Sequence, residues 1–295
     1  MTERLGDVVA RIGTVRQLSS VIGAMRGIAA ARAHEARARV KGVRAYAATV
    51  GAAIGQALAL AAERSASPAP RDRLDGHLVI ALCAEQGFAG AFSRRVLDVV
   101  ERHMKAGGSV RFELLLLGSR GLAAAEERGL RVDWNAAMVA HVDQVGALAD
   151  RVTEQIYARL ESGRAARVTV AHAMPAFGEI RVVERALAPF DFARFPEARQ
   201  RAPPIVTLPP PLLLAELAEE YVFAELCEAI TLSLAAENEA RMRAMTSAKA
   251  NVAKMLDDLV ARSRRLRQEE ITNEILELAA RPGSDGGDGS IVLKR

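Results

Sequence analysis

The distribution of proline constrains this chain more than any other feature of its sequence. The chain has 295 residues and 11 prolines, yet none lies between Thr2 and Ala62 or between Leu212 and Ala280. Proline breaks a helix interior because it lacks an N–H and clashes with the preceding turn. Each end of the chain can therefore form one long helix, and roughly 60 residues at about 1.5 Å per residue would extend about 90 Å.

A helix of that length cannot be buried in a single domain, so it needs a partner along its length. Apolar residues recur at three- and four-residue steps in both tracts, which places them on one face of each helix. In the first tract they are Leu5, Val8, Ile12, Val15, Leu18, Ile22, Met25 and Ala29. In the second they are Leu217, Tyr221, Ile230, Leu234, Met242, Met245, Val252, Met255 and Leu259. The pattern predicts a long antiparallel coiled coil, a shaft made of residues 1–62 and 212–280, with Ile22, Met242 and Met245 in its seam.

The middle of the chain, residues 71–211, has the pattern of an α/β domain. Short apolar runs predict strands at 77–83, 111–117, 167–174 and 180–187. Amphipathic segments predict helices at 93–105 and 144–162, and a glycine turn at 118–121 is expected to lead into a short helix that ends at 128. This alternation predicts a largely parallel, Rossmann-like sheet with helices on its faces, inserted between the two shaft helices. A proline-rich joint separates it from the C-terminal helix, and the composition of residues 281–295 predicts a disordered tail.

The composition indicates an ordered, soluble protein, with 50% hydrophobic and 26% charged residues. A formal charge of +4 fits anionic partners, but only 4% of residues are aromatic, which disfavours a protein that stacks single-stranded nucleic acid. Cys83 and Cys227 lack a pairing motif and are expected to be buried, reduced thiols. The longest nearly apolar stretch, 50–62, is shorter than the roughly 20 residues of a membrane span.

No catalytic, cofactor-binding or metal-binding constellation is predicted. The loop at residues 84–90 follows the first strand, where phosphate loops occur, but lacks both the Gly-x-Gly-x-x-Gly order and a Gly-Lys-Ser/Thr ending. The five histidines share no metal-ligand spacing. Two other classes stay open on the residues alone. A nucleotide-dependent α/β enzyme with helical extensions predicts saturable nucleotide binding, and a basic coiled-coil nucleic-acid binder predicts salt-sensitive DNA affinity.

Two segments near the C-terminus have distinctive sequences. One is Ala-Ala-Glu-Asn-Glu-Ala-Arg-Met-Arg-Ala-Met at 235–245, followed by Ala248 and Asn251, and the other is Arg-Gln-Glu-Glu-Ile-Thr-Asn-Glu-Ile-Leu-Glu at 267–277. Both resemble segments of the gamma subunit of F-type ATP synthases. The resemblance extends to Ala24-Met25, the alanines at 29–31 and Tyr46 in the first helix, and to residues 85–92 and 118–121 in the middle. A shortened segment at 206–211 and the added tail indicate a divergent branch of that family.

The resemblance implies a non-catalytic rotor of the central stalk, which couples ion flow through a membrane ring to ATP synthesis or hydrolysis. The implied partners are the alpha3beta3 head, the epsilon subunit and the c-ring, with no nucleic acid, at the cytoplasmic face of a bacterial inner membrane. Because the first helix begins at the first residues, no transit peptide is expected. The family positions that contact a beta subunit correspond to Met25, Arg26, Arg267, Gln268, Thr272 and Glu274.

Overall fold

A computed structural model describes residues 4–62, 76–108, 110–176, 179–195 and 205–280. Its helices are α1 (Leu5–Ala62), α2 (Phe92–Ala106), α3 (Ser119–Glu127), α4 (Val145–Glu161) and α5 (Pro210–Ala280). Its strands are β1 (Gly76–Leu82), β2 (Arg111–Leu117), β3 (Trp134–Ala136), β4 (Arg167–Met174) and β5 (Arg181–Ala188). The predicted tail at 281–295 lies outside the described residues.

The chain divides into two compact units, and the smaller one combines the start of α1 with the end of α5. Among the described residues it comprises 4–24 and 246–280. The α1 side chains of Val8, Ile12, Val15 and Ile22 are buried, as are Val252 and Leu259 on α5. The two helices therefore pack through their apolar stripes, as the sequence pattern predicts.

Two positions of the predicted stripes are wrong in detail. Leu18 and Met255 are 48% and 46% exposed. Both lie at the margin of the buried stripe, because a straight helix with 3.6 residues per turn drifts away from a repeating three- and four-residue pattern.

The larger unit, residues 25–245, contains a five-stranded mixed sheet with the order β3-β2-β1-β4-β5. Strands β1 to β4 are parallel to their neighbours, and β5 runs antiparallel to β4. The four predicted strands and the helices α2 and α4 agree with the observed ones to within one residue at each end. Helix α3 begins at Ser119, inside the segment predicted to be a glycine turn, and α5 begins two residues earlier than predicted. The sequence pattern missed β3, which has only three residues.

The two faces of the sheet form two cores, because successive side chains of a strand point to opposite faces. Leu78, Ile80 and Leu82 of β1 pack with α4 and with Leu226 and Ile230 of α5. The alternate residues Val79 and Ala81 pack with α2 and α3. The result is a three-layer unit in which α5 supplies part of one covering layer.

Helix α1 is long and apolar enough, by length and composition alone, to span a membrane. Helices that pack inside a water-soluble fold can have the same length and composition. Near its C-terminal end Val50, Ile54 and Ala57 are buried. At Gly51 an added Cβ would lie 3.1 Å from the ring of Phe195, so this part of α1 lies close against the larger unit's own residues. We therefore interpret it as a packed helix.

The segment Gly118–Gly121 joins β2 to α3 and packs closely against Cys83. Gly118 has φ 105°, and an added Cβ would lie 2.5 Å from the carbonyl oxygen of Cys83. At Gly121 an added Cβ would lie 2.1 Å from the Cβ of Cys83. Both positions therefore require glycine. With glycine there, α3 begins directly after the carboxyl end of β2.

We predict that Gly121→Ala lowers the free energy of unfolding by about 1–3 kcal/mol, because the new methyl group has to displace Cys83 in a packed core. The matched control is Gly146→Ala on α4, where an added Cβ meets nothing within 4 Å. Chemical denaturation of both variants tests this. Equal midpoints for the two variants would contradict the close approach at Gly121.

Candidate functional site: the junction between α5 and the loop after β1

The central part of α5, from Ala224 to Arg241, is buried throughout, and it carries many polar groups. They are Glu225, Glu228, Thr231, Ser233, Glu237, Asn238, Glu239 and Arg241. A charge taken out of water is stable in a fold only when it is paired and hydrogen-bonded. The partners of these groups therefore define what α5 must hold in place.

Glu237 and Arg241, one turn apart on α5, bind the main chain of the loop after β1. The Glu237 carboxylate accepts hydrogen bonds from the backbone N–H groups of Glu85 (3.5 Å) and Gln86 (3.3 Å). The Arg241 guanidinium donates to the carbonyl oxygens of Gln86 (3.2 Å) and Gly87 (3.1 Å), and it pairs with Glu237 itself. A carboxylate and a guanidinium of α5 thus form hydrogen bonds with both the backbone N–H groups and the carbonyl oxygens of the same loop.

The same loop is fixed from its other side by Glu85. Its carboxylate accepts hydrogen bonds from the backbone N–H (3.1 Å) and hydroxyl (2.6 Å) of Ser119, the first residue of α3. It also accepts one from the backbone N–H of Met138 at 2.8 Å. A carboxylate at a helix N-terminus is favourable because the helix dipole presents partial positive charge there. The loop therefore joins α5 to α3 and to the segment that follows β3.

These carboxylates occupy the positions where a doubly wound sheet usually binds an anionic ligand. That position is the crevice at the carboxyl ends of the strands, close to backbone N–H groups and a helix N-terminus. Here the N–H groups of Glu85 and Gln86 donate to Glu237, and the N–H of Ser119 donates to Glu85. Burial raises the pKa of Glu237, while Arg241 and the two N–H groups act in the opposite direction. The arrangement favours a structural junction over a nucleotide site.

Three further acids of α5 bind arginines from other elements. Glu228 accepts from Arg44 of α1 (2.8 Å) and Arg185 of β5 (3.1 Å). Burial alone would raise the pKa of Glu228, but these two arginines together lower it. In addition, Glu225 pairs with Arg194, which follows β5, at 2.8 Å, and Glu239 pairs with Arg37 of α1.

His172 on β4 lies beside this network and is fully buried. Its Nδ1 is 3.3 Å from the carbonyl oxygen of Ala173, and its Nε2 has no hydrogen-bond partner among the described residues. Its pKa is lowered to about 4, chiefly by burial and also by Arg185, while the Ala173 carbonyl and Glu228 act in the opposite direction. The imidazole is therefore neutral at pH 7, when the fold is intact.

Phe88 is the exposed part of the loop. Its φ is 62° and its side chain is 66% exposed. A bulky residue with positive φ is strained, so the loop keeps an apolar ring at its surface at some energetic cost. The preceding residues Gln86 and Gly87 are the ones whose carbonyl oxygens accept hydrogen bonds from Arg241 of α5.

The residues predicted to contact a beta subunit are divided between the two units. Met25 is half-buried and Arg26 exposed, and both belong to the larger unit. The exposed residues Arg267, Gln268, Thr272 and Glu274 belong to the smaller unit. Of the three predicted seam residues, Ile22 and Met245 are buried and Met242 is half-buried.

Sequence reasoning missed Glu85, Glu237 and Arg241 as interacting residues, although both segments that carry them were singled out. The available signal was a run of charges inside an apolar helical tract, which marks charges that need buried partners. Within the described part of the chain no group of three or more His, Cys, Asp or Glu side chains is arranged to hold a metal ion.

Comparison with known proteins gives one consistent result. A family model described as ATP synthase matches residues 4–280. The ATP synthase gamma chain of Solibacter usitatus is 27% identical, with 93% of this chain and 96% of that protein covered. The gamma chain of Fuscovulum blasticum is 26% identical, with the same coverage.

Solved structures have the same fold. A chain from the central stalk and c-ring of the Tetrahymena thermophila mitochondrial ATP synthase matches with a TM-score of 0.56 and 19% identity, covering 77% of this chain and 99% of that one. A chain from the rotor of the Euglena gracilis mitochondrial ATP synthase matches with a TM-score of 0.59 and 11% identity, covering 90% and 98%.

We predict that His172 makes the fold less stable in acid. Its pKa is about 4 when folded, against an ordinary value of 6.5, so only the unfolded chain takes up the proton as the pH falls below 6.5. Between about pH 6.5 and 5 the wild type should lose about 1.5–2 kcal/mol more than His172→Leu. Urea denaturation at both pH values measures the difference, with His34→Leu at an exposed position as the control. Parallel pH profiles for wild type and His172→Leu would contradict the prediction.

Proposed function

Because this chain belongs to the ATP synthase family, as one of its gamma chains, we propose that its paired terminal helices turn inside a ring of alpha and beta subunits while the sheet stands on the membrane c-ring beside epsilon. The gamma chain is the central-stalk rotor of an F-type ATP synthase, a membrane-associated complex with a catalytic head and a c-ring. It couples ion flow to ATP synthesis or hydrolysis and is not itself the catalytic subunit.

The C-terminal end of α5 carries this proposal. Every side chain from Arg267 to Ala279 is exposed, including Ile271, Ile275, Leu276 and Leu278 at 49%, 60%, 61% and 70%. A helix of roughly a dozen residues is marginal in water without a packing partner, and apolar groups repeated along it are favourable only when covered. A surrounding apolar sleeve in the head would cover them. Apolar contact is non-directional, so it would also let the helix turn.

The predicted beta-subunit contacts share a side of this helix end with most of the apolar residues. At about 100° per residue, Arg267, Gln268, Thr272 and Glu274 fall within about 160° of the circumference. Ile271, Ile275 and Leu278 fall in the same range, and Glu269, Glu270 and Glu277 fall on the other side. The two sides differ in charge, so a surrounding subunit would meet a different surface at each rotor angle.

The exposed surface of α1 offers a second contact of opposite chemistry. Arg26, Arg39 and Lys41 are exposed there, and Arg26 is the residue next to Met25. A basic surface needs an acidic partner or water, and acidic levers of the beta subunits would supply the partner. Met25 and Arg26 are the positions that we assign to that contact.

Rotation would act on the catalytic subunits through differential contact. An asymmetric rotor presents a different side to each of three beta subunits, so each rotor angle stabilises a different set of beta conformations. Nucleotide affinity at each catalytic site then changes as the rotor turns, without any catalytic group on this chain.

We assign residues 1–62 and 212–280 to the shaft and residues 71–211 to the foot on the c-ring. The similarity to bacterial gamma chains supports a peripheral location at the cytoplasmic face of the inner membrane.

Affinity purification from native membranes tests the assembly. With a tag in the α/β region, so that both helical ends stay free, alpha, beta, epsilon and c subunits are expected to co-purify with ATPase activity. Recovery of the chain alone, or with unrelated proteins, would contradict the rotor function. Nucleotide and DNA binding by the isolated chain would then be measured, since they separate the two other classes.

A charge at the proposed beta contact provides a second test. Met25→Lys adds a cation beside Arg26, at the proposed contact with the acidic levers. A cost of about 1.4 kcal/mol on one rotational step would lower its rate roughly tenfold. We therefore expect ATP-driven ion pumping by membrane vesicles to fall by about that factor. Met25→Leu, which keeps an apolar side chain of similar size, is the control. Ion pumping by Met25→Lys at the wild-type rate would contradict the assignment of Met25 to the contact.

A further inference from the structure

The loop at residues 84–90 is bound to α5 by charged side chains, whereas strand β1 before it contacts that helix through apolar packing and a neutral hydrogen bond, from the Ser233 hydroxyl to the carbonyl oxygen of Leu82 at 3.3 Å. Leu226, Ile230 and Leu234 of α5 pack in the apolar core against the sheet. Such contact is strong but non-directional, so it resists separation more than it resists rotation of the helix about its own axis. Hydrogen bonds to charged groups depend steeply on distance and angle, so they do resist rotation.

Most of the directional bonds of α5 involve long side chains at both ends. Glu228 binds Arg44 and Arg185, and Glu225 binds Arg194. An arginine side chain has several rotatable bonds, so it can follow a small displacement of its partner. These pairs allow some movement of α5 before they break.

Glu237 and Arg241 bind main-chain atoms, which cannot follow in that way. The N–H groups of Glu85 and Gln86 and the carbonyl oxygens of Gln86 and Gly87 belong to a loop that begins directly after a central strand. Glu85 fixes the same loop to α3. Glu237 and Arg241 are 3% and 5% exposed, so water does not replace these bonds readily.

We propose that Glu237, held by Arg241, is the positioning residue that fixes the rotational setting of α5 against the sheet and so transmits torque between them. The carboxylate takes the place that an anionic ligand holds in other doubly wound sheets, and it turns a ligand crevice into a mechanical joint. This inference rests on the proposed function, since torque has meaning only in a rotor. The bonds themselves are independent of it.

The test compares Glu237→Gln with wild type in two measurements. The first is amide hydrogen exchange of the full chain. Glutamine has the shape of glutamate but lacks the charge that pairs with Arg241, and it has one acceptor oxygen for two N–H groups. We expect the amides of Glu85 and Gln86 to exchange at least about tenfold faster, while the amides of β1 and β2 keep their protection.

The second measurement is coupling in the assembled complex. A potential-sensitive dye in inverted membrane vesicles reports pumping of either protons or sodium ions, and phosphate release reports hydrolysis. We expect Glu237→Gln to keep its ATP hydrolysis and to lose part of its charge transfer per ATP. Exposed Glu154→Gln on α4 is the matched control for coupling, and Glu239→Gln, which breaks the pair with Arg37 of α1, is the control for loop exchange.

Faster loop exchange together with reduced charge transfer per ATP supports the joint. Unchanged exchange at Glu85 and Gln86, unchanged charge transfer per ATP, or equal acceleration of all sheet amides would each overturn it, the last because Glu237 would then serve general stability. If Glu237→Gln does not fold, Glu237→Asp, which keeps the charge on a shorter side chain, takes its place with the same outcomes. Absence of the other subunits from the wild-type purification would instead count against the proposed function, and loop exchange would still report the bonds.

Discussion

The fold of the larger unit depends on the charges that α5 carries through its interior. Glu225, Glu228, Glu237, Glu239 and Arg241 are all buried, and a buried charge that loses its partner destabilises the fold. Each charge therefore dictates the position of another element. Arginines of α1, of β5 and of the segment after β5 pair with Glu225, Glu228 and Glu239. The main chain of the loop after β1 forms hydrogen bonds with Glu237 and Arg241.

The same helix changes character along its length, and the change matches the two tasks of a rotor. Its central part is buried and bound by directional contacts, as expected where it must move together with the sheet. Its last turns, up to residue 279, are exposed and carry Ile275 and Leu278 among polar residues, as expected for the surface that we propose to turn against another subunit. Directional bonds hold a rotor together, whereas apolar contact lets it turn.

The crevice at the carboxyl end of β1 explains how a sheet of nucleotide-binding type can serve a non-catalytic subunit. The N–H groups that would hold a phosphate are occupied by the carboxylates of Glu237 and Glu85. The strands and helices of the domain are those of a ligand-binding fold, and the helix that completes the core also fills the ligand position. Fold and function are separable for this reason.

The sequence by itself determined the elements, because their signals are local. Two proline-free tracts define α1 and α5, and apolar runs with helical segments between them define β1, β2, β4 and β5 to within a residue. Three residues carry too little pattern to reveal β3, and helical drift placed Leu18 and Met255 outside the buried stripe. The partners of Glu237, the unusual φ of Phe88 and the burial of the His172 ring beside Arg185 were decided only by the tertiary structure. Each depends on which distant segments meet, and a charge in a sequence shows that it needs a partner without showing which backbone will supply it.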